Sequence, residues 1–417
     1  MAILDRTSPV AFHVLWDLVG PVDFEALDWA WQALTRVHPI LGCTVDIQAD
    51  ATWHPGMDLA PIRRLEGGEK QDQLISDAVG LPMDIRSGPP VRLTAIEEAT
   101  DTLRLVLAAH HAAFDGVASV LLLEDLRRIY LDRVSAPGPA QVPDLSPRTV
   151  REALRHARLP VLTKQSIVGK SLDRWRRVPP STHIDPSAGP SEVATDYVTI
   201  DMSPILSALD EQRRRNSWSV DAVLIGLLEA AWTETFGRES QGASVWLVAH
   251  DLRPGLGAKR GIGNMSGTEP IAIRQPEARP VERVIEQAAV EMAAIKSSFP
   301  GLGPELMATS WAWMPSAVLN RGADAMIRRG QRQRYTRTLS NLSRLPDSLT
   351  DWGPARMDRI RFLGPLAQGP YNSFIAFAQG SSSWLTARVS PDWLTREHTT
   401  QLEAAMRRVC RVGRRTF

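Results

Sequence analysis

His110-His111-Ala112-Ala113-Phe114-Asp115-Gly116 is the stretch around which the 417-residue chain is best read. It follows Thr102-Leu-Arg-Leu-Val-Leu-Ala-Ala109, an apolar run of strand length. After it, Val117 to Arg133 carries apolar residues at 122, 126, 129 and 130 and charges at 124, 125, 127, 128 and 132. That is the spacing of a helix with one polar face. Two histidines thus stand where a buried strand ends, and an Asp-Gly turn leads into a helix. Strand alternation puts His111 on the side of Leu103, Leu105 and Leu107, and His110 on the other.

These residue types fit acid–base work. An imidazole titrates near neutrality and takes a proton from an alcohol or amine. An aspartate four residues on fixes local geometry by ion pairing, and glycine lets backbone approach closely. Each residue alone is ordinary at a strand end, but average residue frequencies give the whole pattern in about one chain in a thousand of this length. Adjacent strand histidines point to opposite faces, which disfavours one ion shared by His110, His111 and Asp115, and no metal site is expected.

His110, His111, Asp115 and Gly116 resemble the signature of the CoA- and carrier-dependent acyltransferase superfamily. That superfamily includes chloramphenicol acetyltransferase, the condensation domains of nonribosomal peptide synthetases, polyketide-associated acyltransferases, wax ester synthases and the plant BAHD enzymes. Other segments are similar in kind and in order. His38-Pro-Ile-Leu41 resembles the end of the family's first helix, and Leu81-Pro-Met-Asp-Ile-Arg-Ser-Gly-Pro-Pro-Val-Arg-Leu93 the approach to the strand before the motif. His250-Asp-Leu-Arg-Pro254, Gly261-Ile-Gly-Asn-Met265 and Thr338-Leu-Ser-Asn-Leu342 resemble its Leu-Arg, Gly-Asn and Ser-Asn segments. The Asp-Phe-Gly-Trp-Gly block of BAHD enzymes and the Ser-Asn-Val-Pro-Gly-Pro block of wax ester synthases are missing, with Ser340-Asn-Leu-Ser-Arg-Leu-Pro346 only a partial echo of the second. The nearest branch is that of free-standing acyltransferases and condensation enzymes of secondary metabolism.

The resemblance implies an α/β (α+β) fold of two chloramphenicol-acetyltransferase-like subdomains, each a mixed sheet with helices, and an active site in a channel between them. The Pro- and Ser-rich run Pro179 to Ser191 is the expected linker, giving subdomains over residues 1–178 and 193–417 with 179–192 between. It further implies His111 as general base and a backbone N–H near Gly116 as oxyanion donor. Asp115 is structural and pairs with Arg253 from the other half, His110 packs behind the motif, and Asn264 and Asn341 bind substrate. The implied reaction moves an acyl group from acyl-CoA or a phosphopantetheinyl thioester to a small-molecule alcohol or amine. No tightly bound cofactor is needed, and an acyl or peptidyl carrier protein is the expected partner where CoA is not the donor. Two other readings share the motif: a non-catalytic docking protein for carriers, and a relative that cyclises a tethered substrate.

Composition bounds the rest. Apolar content of 43%, charged content of 23% and a net charge of +1 are ordinary for a soluble globular protein and give no support for general nucleic-acid or membrane binding. Two cysteines, Cys43 and Cys410, exclude a disulfide scaffold and a cysteine-built zinc site. Met1-Ala-Ile-Leu-Asp-Arg6 reaches charge at once, so a cytoplasmic protein, a monomer by default, is expected. Arg328, Arg329, Arg332, Arg334 and Arg337 form a basic run, read either as a solvated loop or as a surface for an acidic carrier or a CoA phosphate.

Overall fold

The computed structural model describes residues 11–46, 52–98, 101–135, 149–179, 197–236, 243–274, 280–310, 321, 337–365, 372–388 and 396–416. Strands β1 (Ala11–Val19), β2 (Cys43–Asp46), β3 (Thr52–Pro55), β4 (Arg63–Glu66), β5 (Val91–Glu97) and β6 (Thr102–His110) alternate with helices α1 (Phe24–Val37) and α2 (Gln71–Gly80). Helices α3 (Gly116–Ser135), α4 (Val150–Ala157) and α5 (Val161–Arg177) follow. Then come β7 (Tyr197–Asp201), α6 (Ser203–Arg215), α7 (Val220–Phe236), β8 (Ala243–Asp251), α8 (Arg253–Leu256), β9 (Ser266–Arg274), α9 (Val281–Lys296) and α10 (Leu302–Ser310). The chain continues through β10 (Arg337–Arg344), β11 (Asp351–Trp352), β12 (Ala355–Leu363), β13 (Asn372–Gln379), β14 (Ser382–Arg388) and α11 (Arg396–Thr416).

Two compact units result. The first comprises Met1–His156, Leu256–Met265 and Leu345–Leu366, the second Ala157–Gly255, Ser266–Arg344 and Ala367–Phe417. This differs from the division expected at 178/179: the boundary falls after His156, and two later segments return to the first unit. Pairing across the sequence is the cause. Strand β12 lies antiparallel to β1, with Val14 opposite Phe362 and Trp16 opposite Ile360. Helix α5 joins the second unit because Arg174 grips the buried Glu269 carboxylate with two hydrogen bonds of 3.0 Å. Its Ser171 also packs so closely on Gly303 that a Cβ there would lie 2.2 Å from the serine Cβ. Residues 150–177 form two helices, α4 and α5, rather than one, since Pro160 cannot donate the hydrogen bond that would continue the first. Residues 180–192 of the expected linker lie outside the described residues.

The first unit is built on a six-stranded sheet of order β11-β12-β1-β6-β5-β4. Its central strands are buried on both faces, which is why β1 and β6 read as continuous apolar runs. One polar pair is built into them. Asp17 and Arg104 stand opposite each other, joined by Nε–Oδ1 and Nη2–Oδ2 bonds of 2.6 and 3.0 Å, with Arg361 3.7 Å away. Asp23 caps α1 by accepting from the Ala26 N–H at 2.9 Å. Its own N–H donates to the Tyr130 hydroxyl at 3.2 Å, tying α3 to the start of α1. Trp352 packs on Tyr130 at 5.8 Å and stacks on Trp16 at 6.5 Å, so α3 is fixed against both β1 and β11.

The second unit has a mixed sheet of order β7-β14-β13-β10-β8-β9, in which β13, β10 and β8 run parallel. Helix α7 follows Ser219, and its residues Val223, Leu224, Leu227, Leu228 and Trp232, at helical spacing, are buried in the core of this unit. Arg337 corrects the reading of the basic run. It is buried on β10, pairs with the buried Glu229, donates to Ser244 Oγ at 2.8 Å and lies 4.3 Å over the Trp232 ring. It belongs to a core; Arg328, Arg329, Arg332 and Arg334 lie outside the described residues. In the C-terminal helix, Arg407 and Arg408 are paired with Glu403 and Glu234. No helix among the described residues is long and apolar enough to cross a membrane.

Breaking the buried pair leaves a carboxylate without its charge partner. Arg337→Met is therefore expected to lower unfolding stability by about 3–5 kcal/mol, and adding Glu229→Gln to recover part of the loss. Urea denaturation of the three proteins measures it.

Candidate active site

Strand β6 is hydrogen-bonded on both sides, to β1 and to β5, and its last residue, His110, is fully buried. The His110 N–H donates to the Pro90 carbonyl at 2.8 Å. Its carbonyl accepts from the N–H groups of both Ala113 and Phe114, at 3.0 and 3.1 Å, which closes a tight turn. The His110 ring completes that turn: Nδ1 accepts the Ala112 N–H at 3.1 Å. His110 is thus a structural element of the motif, packed behind it.

His111 is the first residue beyond the strand, so the turn and not the pleat directs its ring. That is a departure from the alternation argument, which extends the strand one residue too far. The ring is partly buried, and its Nδ1 lies 2.8 Å from the Phe114 carbonyl oxygen. A carbonyl oxygen only accepts, so Nδ1 carries the proton and Nε2 holds the lone pair. The Phe12 ring of β1 meets the imidazole edge to face at 5.8 Å. Burial pushes the His111 pKa below its ordinary 6.5; the Phe114 carbonyl and the Asp115 charge oppose this without overcoming it. The neutral imidazole is the form present at pH 7.

Asp115 is the N-cap of α3. Its Oδ1 accepts the Ala118 N–H at 2.7 Å and its Oδ2 accepts the Met265 N–H at 2.7 Å. One carboxylate therefore joins the helix start to the segment Leu256–Met265. That segment is attached at further points. Asn264 Nδ2 donates to the His111 carbonyl at 2.6 Å. Arg260 Nη2 reaches Asp125 Oδ1 at 3.2 Å, and the other oxygen of Asp125 meets His38 Nε2 at 2.8 Å. Burial pushes the Asp125 carboxyl up, but the His38 bond and the charges of Arg260 and Arg128 prevail and hold it below its ordinary range.

Asp125 belongs by its charge to the polar face expected of α3, but the residue is buried. The signal was there: 122, 125 and 129 are spaced i, i+3, i+7, the spacing of the buried stripe. Of the other expected site residues, Arg253 is buried in the second unit, where Nη1 donates to Asp251 Oδ1 at 2.8 Å. Asn341 also lies in the second unit; Nδ2 donates to Asp221 at 2.7 Å and Oδ1 accepts the Ser343 N–H at 2.9 Å. Gly116 is the first residue of α3.

Comparison with known proteins agrees with the fold. Residues 5–142 match the condensation domain family. Among curated relatives, the nonribosomal peptide synthetase cm3A of Cordyceps militaris is 29% identical over 31% of this chain and 3% of its own length. The phthiocerol/phthiodiolone dimycocerosyl transferase of Mycobacterium leprae is 28% identical over 33% of this chain and 33% of its own. These matches thus span a third or less of each relative. Structural likeness extends over nearly the whole chain. The first condensation domain of the CDA synthetase superposes with a TM-score of 0.71 at 14% identity, covering 98% of this chain and 92% of that one. Polyketide synthase associated protein 5 from Mycobacterium tuberculosis superposes with a TM-score of 0.65 at 15% identity, covering 99% and 96%. The chain has the condensation-domain fold.

Asp115→Ala removes an N-cap acceptor and leaves the Met265 N–H without its carboxylate. The expected loss is about 1–3 kcal/mol in urea unfolding. Hydrogen exchange of the Met265 and Ala118 amides should accelerate together.

Proposed function

We propose that this protein is a condensation-type acyltransferase of secondary metabolism, moving an acyl group from a CoA or carrier-protein thioester to an alcohol or amine. The observation that carries the reading is the His111 ring: Nδ1–H is held by the Phe114 carbonyl, Nε2 keeps a lone pair, and burial keeps the group neutral. The condensation-domain match over the segment containing His110 to Gly116, and a relative named as a transferase, support it.

In this mechanism Nε2 of His111 takes the proton from the acceptor O–H or N–H as its heavy atom bonds to the thioester carbonyl carbon. The carbonyl becomes a tetrahedral oxyanion. The N-terminus of α3, where Gly116 stands, supplies backbone N–H dipoles of the right sign to hold it. Collapse breaks the C–S bond, and the imidazolium returns its proton to the departing thiolate. No side chain is acylated. Asp115 holds the turn. Asn341 stands near the C-terminal end of a parallel strand, the end at which α/β sheets place ligands, and is retained as a substrate contact.

The test is thioester consumption by wild type and His111→Ala against a panel of acyl-CoAs and acyl-carriers with pooled alcohols and amines. The variant should lose about 10²–10⁴-fold in kcat/KM. Because the His111 pKa is lowered, the base stays deprotonated on the acid side of neutrality. The acid limb of kcat/KM should therefore fall only below pH 6.5. Equal turnover by both proteins would remove His111 from the mechanism.

A further inference from the structure

Asn264, a candidate substrate contact, also has a partner inside the protein. The Nδ2 group donates to the His111 backbone carbonyl at 2.6 Å and lies 3.4 Å from the imidazole Nδ1. With Nδ1 already donating to Phe114, the second contact joins two donors and is no hydrogen bond; the carbonyl is the partner. The peptide plane that Asn264 grips is the one connecting His111 to Ala112, within the turn that aims the ring. The grip is itself anchored on both sides. Met265 N–H, the next backbone donor, binds Asp115 Oδ2 at 2.7 Å, and Arg260, four residues before, binds Asp125 at 3.2 Å. His38 holds Asp125 from behind at 2.8 Å.

We infer that Asn264 is a positioning residue: by holding the His111 carbonyl it fixes the turn in which Nδ1–H points at Phe114, so that Nε2 is the basic nitrogen. The inference rests on the acyl-transfer reading for its kinetic consequence, but the tautomer it fixes is observable without turnover. Freed of that bond, the turn can rotate and the ring loses the alignment with the Phe114 carbonyl that selects one tautomer. A displacement of about 1 Å at a base is enough to cost on the order of 10²-fold in rate. Arg260, Asp125 and His38 act one step further out, by fixing where Asn264 stands.

Two variants test it. Asn264→Asp keeps the shape and removes the donor; Asn264→Ala removes the side chain beyond Cβ. Histidine-ring ¹⁵N spectra, with the His111 signals assigned by their loss in His111→Asn, should show wild-type His111 as the Nδ1–H tautomer. In both variants that signature should give way to a mixture. On whichever thioester the wild type consumes, kcat should fall about 10²-fold while KM for that thioester stays within twofold. An unchanged tautomer in both variants overturns the inference. So does a loss expressed as raised KM with the tautomer retained, which would return Asn264 to a substrate-binding role. Absence of thioester consumption by wild type, with the tautomer still dependent on Asn264, would overturn the acyl-transfer reading and leave the positioning role standing.

Discussion

The Asp115 carboxylate is the contact on which the candidate site depends. It accepts one N–H from the first turn of α3 and one from Met265, a residue 150 positions later in the chain. Both donors are buried, so each would cost free energy if left unpaired, and a single anion answers both. The helix N-terminus adds its own attraction for the negative charge. The turn that carries His111 leads directly into this carboxylate.

Around this contact the first unit builds ion pairs on buried carboxylates. Asp17 with Arg104 bridges two central strands, and Asp125 with His38 and Arg260 joins two helices to the returning segment. Buried pairs of this kind add little net stability over an apolar core, but removing one partner is costly. They therefore specify arrangement more than they add strength. For the acyl transfer proposed above, in which His111 presents one particular nitrogen, arrangement is what matters.

The two units solve the same packing problem with different sheets. In the first, antiparallel neighbours enclose β1 and β6, and the functional turn follows directly from a strand end. In the second, parallel strands β8, β10 and β13 lie beneath α7, and the buried Arg337–Glu229 pair is wedged among Trp232, Trp246 and Ser244. An arginine that looks like part of a basic surface run is core there because tryptophan faces and a carboxylate jointly replace its hydration.

Local features are legible in the chain before it folds. Apolar runs predict β1 and β6, Asp23 predicts the start of α1, and the helical stripe from Ser219 predicts α7, because strand pattern, capping and periodicity depend on neighbours in the chain. The seven-residue motif and its resemblance point to His111 for the same reason. Only tertiary structure decided the rest. That β12 completes the first sheet, that Asp125 is buried, that Arg337 is core, and that Asn264 faces the His111 carbonyl all depend on contacts between residues far apart in sequence. Such contacts leave no periodicity to read, since the partner that satisfies a polar group is chosen by the folded chain and not by its neighbours.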